Sequence, residues 1–97
     1  MAKAYCLVTI LEITDAAAFD RYVEGHQPTL RPYGGRFLVK GAAGTVLEGH
    51  WPEGRMVVHE FPQLVQFYHW YNSAAYQPWK ALRQQSAKVN VVVVEGC

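Results

Sequence analysis

Apolar residues recur along the chain in short runs whose spacing alternates between that of strands and that of helices. From Ala4 to Leu11 nearly every residue is apolar. Ala4, Cys6, Val8 and Ile10 fall on one face of an extended strand, and Tyr5, Leu7 and Leu11 on the other. Asp15 then offers a helix N-cap. Phe19, Tyr22, Val23, His26, Leu30 and Tyr33 recur at the spacing of one helical face. Pro28 removes a backbone donor and is expected to kink or divide that helix near His26. Gly34-Gly35 supplies the positive φ that ends it. Arg36 to Lys40 reads as a strand with Phe37 and Val39 on one face. A turn flanked by Gly41 and Gly44 leads into a second arm, Thr45 to Trp51, and Pro52-Glu53-Gly54 turns the chain again. Arg55 to Phe61 is a strand with an apolar centre. Pro62 suits the first position of the next helix, whose inward stripe is read as Leu64, Phe67, Tyr68 and Tyr71. Ser73 can cap a third helical piece, on which Tyr76, Trp79, Leu82 and Arg83 share a face. Val89 to Val94 is a final strand with valine on both faces.

The order is strand, helix, strand with its arm, strand, helices, strand. This is an α+β, ferredoxin-like split βαβ arrangement, an antiparallel sheet with helices on one face. Helices cover only one face of such a sheet, yet the first and last strands are apolar on both. The second face needs another cover. The simplest cover is the same face of a second copy, which predicts a two-fold homodimer.

Composition narrows the function classes. The 97 residues allow one domain, 1–97. A domain of this size buries only roughly 60–70% of the surface its unfolded chain exposes, so pairing would help it. A net charge of +1 gives no general pull toward nucleic acid or an anionic membrane. No run of about 20 apolar residues could span a bilayer. The start of the chain lacks the pattern of a secretion signal. Cys6 and Cys97 lie far apart without metal-type spacing, which reads as two free thiols in a reducing cytoplasm.

Several short segments carry a resemblance. Tyr33-Gly34-Gly35-Arg36-Phe37-Leu38, Glu60-Phe61-Pro62, Trp70-Tyr71-Asn72-Ser73, Tyr76-Gln77 and Val94-Glu95-Gly96 occur in order and at intervals that span nearly the whole chain. The sequence resembles the domain-of-unknown-function-1330 family, within the dimeric α/β-barrel superfamily. The resemblance implies a ferredoxin-like subunit that pairs sheet to sheet as a dimeric α/β barrel. That superfamily includes cofactor-free monooxygenases, chlorite-dismutase-like and haem-degrading proteins, and simple binding modules, so the fold alone selects no reaction. In one respect the chain departs from the family. Ala75 stands where the family usually places an acid, which removes any role that carboxylate has.

The candidate chemical groups are few. His26, on the apolar helical face beside Pro28, is either a general base or ligand-binding imidazole, or a hydrogen-bonded core histidine. Glu60, at a strand end, is either an acid–base group with a raised pKa or a structural ion pair with Arg36 or Arg83. Arg83, framed by aromatic rings, offers a planar fork for a carboxylate, or stacks on Trp79 with its head in water. Tyr33 and Arg36 bracket the Gly34-Gly35 turn, which is either a binding turn or a plain helix-to-strand reversal. Tyr71 and Tyr76, with Trp70 and Trp79, are either core or the lining of a pocket between helices and sheet. His26, His50, His59 and His69 have no metal-type spacing, so a metal or haem site would need the fold to gather them. No cofactor motif is present and none is expected. The leading reading is a dimeric domain binding a small organic acid or aromatic compound, with cofactor-independent enzyme chemistry left open. The alternative is a structural or regulatory dimer without catalysis.

Overall fold

The computed structural model describes residues 2–97. Its strands are β1 (Ala4–Ile13), β2 (Arg36–Ala43), β3 (Arg55–Phe61) and β4 (Ala87–Glu95), and its helices are α1 (Ala16–Leu30), α2 (Leu64–Tyr71) and α3 (Gln77–Ser86). The strands form one antiparallel sheet in the order β2-β3-β1-β4, which is the ferredoxin-like order. The most buried side chains lie between the helices and one sheet face, among them Trp70, Tyr76, Phe61 and Leu30. Among the described residues no helix is long and apolar enough to cross a membrane.

Local chemistry explains most of the element ends. Asp15 caps α1 by accepting from the Ala18 amide at 3.1 Å. The turn before it is pinned by the Ser86 carbonyl, which accepts from the Thr14 and Asp15 amides at 2.8 and 3.1 Å. Ser73 closes a turn ahead of α3, its hydroxyl accepting from the Tyr76 amide at 3.3 Å. Gly34 takes φ 74° after a single 3-10 turn, Arg31–Tyr33, and sends the chain into β2. Gly25 leaves room for the Trp79 indole of α3 against α1, because a Cβ there would collide with that ring.

The structure corrects five expectations. Pro28 does not divide α1, which continues to Leu30. The arm Thr45 to Trp51 is not a strand. β2 instead runs on to Ala43 and pairs directly with β3, and residues 44–54 form a loop that carries three glycines, a proline and an 89%-exposed Leu47. Pro62 lies before the helix, since α2 starts at Leu64 after the extended residue Gln63. Tyr68 faces outward, and α2 buries Phe67 and Trp70 at i and i+3. Finally, Phe37 and Val39 lie on opposite faces. A bulge at Leu38 pairs Phe37 with His59 but Val39 with Val58, and this extra residue reverses the parity of Val39 and Lys40 until a second shift between Lys40 and Ala42 restores it.

Register also sorts the two sheet faces. Ala4, Cys6, Val8 and Ile10 face the helices, with His59 and Phe61 of β3 and Val89, Val91 and Val93 of β4. The other face carries Tyr5 between Glu60 and Val94, and Leu7 between Val58 and Val92. Among the described residues no helix covers it, and Val92 and Val94 stand about half exposed.

Candidate functional site

Beneath α1 the helix and sheet part to leave a cavity of about 610 Å3. Val8, Ile10, Val57 and Val89 give it an apolar floor, and Phe19, Tyr22 and His26 of α1 form its roof. Phe37, His59 and Lys40 line the side toward β2, and Arg83 enters from α3. Lys40 owes its place to the Leu38 bulge, which turns it to the face of Phe37, with Nζ 5.0 Å from that ring's centroid.

Arg83 is 5% exposed. Its Nη1 donates to the Tyr76 hydroxyl at 3.0 Å, and that hydroxyl lies 2.8 Å from the hydroxyl of Tyr22. Its Nε has no hydrogen-bond partner among the described residues. Among the described residues no carboxylate lies within ion-pair distance of it. The acids at the cavity, Glu12 and Asp20, are exposed at its rim, and Glu12 pairs with Lys88 at 3.5 Å. Burial disfavours the charge on Arg83, but Tyr76, Tyr22 and Tyr71 around it more than offset this. The guanidinium therefore stays ionised in a wall that supplies hydroxyls and no counter-charge.

His26 is buried, and its Nδ1 lies 2.8 Å from the Tyr22 carbonyl one turn back. A carbonyl only accepts, so Nδ1 carries the proton and Nε2 keeps the lone pair. Burial, reinforced by the charge of Arg83, holds the His26 pKa below its ordinary value, while backbone hydrogen bonding opposes the shift. The ring is neutral at neutral pH and able to take a proton. Cys6 is no nucleophile. Burial pushes its thiol up to about 12, with Arg83 only partly opposing. Burial likewise raises the pKa values of Tyr76 and Tyr22, which remain protonated donors.

The other sequence candidates disperse. Tyr76 stands behind the cavity wall, positioning Arg83 through its hydroxyl. Tyr71 does not line the cavity either: it stacks on Phe67 at 5.5 Å beneath the ammonium of Lys80, and joins Tyr22 and Tyr76 around Arg83. Tyr33 packs half-buried against the core and does not line the cavity. Arg36 and Glu60 sit on the uncovered sheet face, so neither joins His26. There Arg36 Nε donates to Glu60 at 2.8 Å and Lys3 stands 3.6 Å away. The hydrogen bond from Arg36, then the nearby charges, hold the Glu60 carboxyl below its ordinary value, not above it. Glu60 pairs with Arg36 and not Arg83.

Two lining residues were not singled out for this site in the sequence, Tyr22 and His59. Both carried a signal: Tyr22 precedes His26 by one turn, and His59 alternates with Phe61. His26 and His59 are brought together, with ring centroids 5.9 Å apart. Among the described residues, however, no third His, Cys, Asp or Glu joins them to hold a metal ion.

The fold and cavity define a ferredoxin-like α+β subunit with a polar-tipped pocket under its first helix. Residues 3–97 match the model of the domain of unknown function DUF1330, and the chain belongs to that family. No curated protein matches it. Solved structures share the fold. A protein of unknown function from Rhodopseudomonas palustris, RPA0582, is 16% identical with a TM-score of 0.75, over 99% of this chain and 83% of that one. SnoaB from Streptomyces nogalater, a cofactor-independent oxygenase, is 7% identical with a TM-score of 0.69, over 97% and 92%. A dimeric ferredoxin-like protein of unknown function from Jannaschia sp. CCS1 is 14% identical with a TM-score of 0.62, over 95% and 97%.

Proposed function

We propose that this protein is a cytoplasmic homodimer whose cavity binds a small organic molecule, apolar or aromatic in body, carrying one acidic group. The observation that carries this reading is Arg83, a nearly fully buried guanidinium that lines an apolar cavity without a carboxylate to neutralise it. A buried charge is costly unless something of opposite sign meets it. A carboxylate matches the planar donor fork of arginine. The volume suits a compact ligand, within the usual range of about 300–1,000 Å3 for small-molecule sites.

The reaction these groups support is proton transfer. His26 Nε2 takes a proton from an acidic C–H or O–H of the bound molecule, and the charge left on the ligand stays near Arg83. Returning the proton at another atom completes an isomerisation with no cofactor. SnoaB, a cofactor-independent oxygenase, shares the fold, which is compatible with such chemistry and does not select it.

The homodimer rests on the uncovered sheet face with its central Leu7, Val58 and Val92, and on the dimeric relative from Jannaschia. The ligand reading is tested by thermal melting against small carboxylic acids, phenols and their neutral amides and ethers. The acids raise the midpoint and the neutral analogues do not. Equal shifts from the neutral analogues would sink the assignment of an acid site.

A further inference from the structure

His59 has no evident structural reason to be a histidine. It is 2% exposed, and neither Nδ1 nor Nε2 has a hydrogen-bond partner among the described residues. Its neighbours are aromatic. Phe37 meets it edge-on at 4.7 Å, Trp70 at 5.6 Å and Phe61 at 6.4 Å. A phenyl ring would fill the same space without burying two idle polar atoms, so packing alone would favour phenylalanine. Yet the residue lines the cavity beside His26. Burial, and then the proximity of His26, lower its pKa to about 3. The ring is therefore neutral, with one N–H to give and one lone pair to receive. Its neighbour His26 has already committed Nδ1 to the Tyr22 carbonyl.

We propose that His59 is a specificity-determining residue, which reads a second oxygen function, a hydroxyl or carbonyl, on the acid that Arg83 anchors. The inference rests on the acid site proposed above and narrows its ligand to hydroxy- or keto-substituted acids. The two imidazole centroids lie 5.9 Å apart, so a turn of the His59 ring that brings one of its buried nitrogens to the cavity lets one ligand oxygen bond both rings. A ligand lacking that oxygen leaves His59 unsatisfied, and this is how a polar site rejects an apolar analogue.

The experiment compares benzoate with its 2-, 3- and 4-hydroxy isomers by calorimetry on the wild type, His59→Phe and His59→Gln. At least one hydroxy isomer binds the wild type ten times or more tightly than benzoate does. His59→Phe melts higher than the wild type without ligand, binds benzoate within about twofold of it, and loses the hydroxyl preference. His59→Gln, which keeps a hydrogen-bonding group, retains part of that preference even if the phenylalanine variant folds poorly. If the wild type binds benzoate and all three isomers alike, or if the preference survives in both variants, His59 is not the reader and the acid site stands. If none of these acids binds the wild type, the acid site falls and the inference falls with it.

Discussion

Tyr22 and His26 stand one turn apart in α1 and stack nearly parallel, with ring centroids 4.3 Å apart and planes 4° apart. The Tyr22 carbonyl holds Nδ1 of His26, and the Tyr22 hydroxyl meets Tyr76, which in turn accepts from Arg83. One residue thus ties the orientation of the imidazole to that of the guanidinium. The ring to ring contact fixes the geometry, and the Tyr22 carbonyl fixes the proton of His26 on Nδ1.

Removing the central hydroxyl tests this chain. Tyr76→Phe leaves a buried Arg83 donor without its acceptor and costs about 1–3 kcal/mol in urea unfolding. Tyr22→Phe removes a second link of the same network, so the double variant costs less than the sum of the two. Strict additivity would show the hydroxyls to be independent.

Gly25 tests helix packing. A methyl group there meets the Trp79 indole, and Gly25→Ala should cost about 1–3 kcal/mol by overpacking. The substitution should also shift tryptophan fluorescence. Trp79→Leu removes the obstructing ring, so adding Gly25→Ala to it should cost much less. An unchanged penalty in that background would contradict the contact.

The histidines set the pH dependence. His59 has a folded pKa near 3 against an ordinary 6.5, and His26 is shifted in the same direction. Between those pH values the unfolded chain binds a proton that the folded ring refuses. Stability is therefore full above about pH 6.5 and falls as the pH drops toward 3, by up to ~1.4 kcal/mol per unit for each such histidine. Glu60, depressed through Arg36, acts in the same direction. Replacing His59 by phenylalanine should make the slope of unfolding free energy against pH shallower by about one proton between pH 4 and 6. The same slope in both proteins would refute the burial of a neutral His59.

The dimer is tested at Leu7, which lies on the uncovered face, and not at Val8, which lines the cavity. An aspartate at Leu7 should give a folded monomer in sedimentation experiments. The wild type should remain dimeric at micromolar concentration, with an interface near the usual ~1,600 Å2. A monomeric wild type would refute the pairing.

The fold was largely legible in the sequence because period-2 and period-3.6 patterns carry it. The strand-length apolar run from Ala4 to Leu11 marks β1, and Tyr22, His26 and Leu30 mark one helical face. Misreadings arose where a local device changes parity or rotation. The Leu38 bulge separates Phe37 from Val39 and turns Lys40 inward, and nothing in the residue types marks it. The eight-residue α2 is too short for its stripe to distinguish Tyr68 from Trp70. The cavity was legible only in part. Helical spacing puts His26 and Arg83 on inward faces, and strand parity sends Glu60 and His59 to opposite faces, which separates the candidate acid from the cavity. The absence of a counter-ion for Arg83 is a three-dimensional fact, since it depends on where the acids end up after folding.

The most direct test of the acid site is calorimetric titration of benzoate into the wild type, Arg83→Lys and Arg83→Gln. The wild type should bind, the lysine variant should retain weakened binding because it keeps the charge, and the glutamine variant should lose about 1.5–3 kcal/mol, as expected for a hydrogen bond to a charged group. Equal affinity in the wild type and Arg83→Gln would show that the guanidinium does not hold the ligand and would contradict the account.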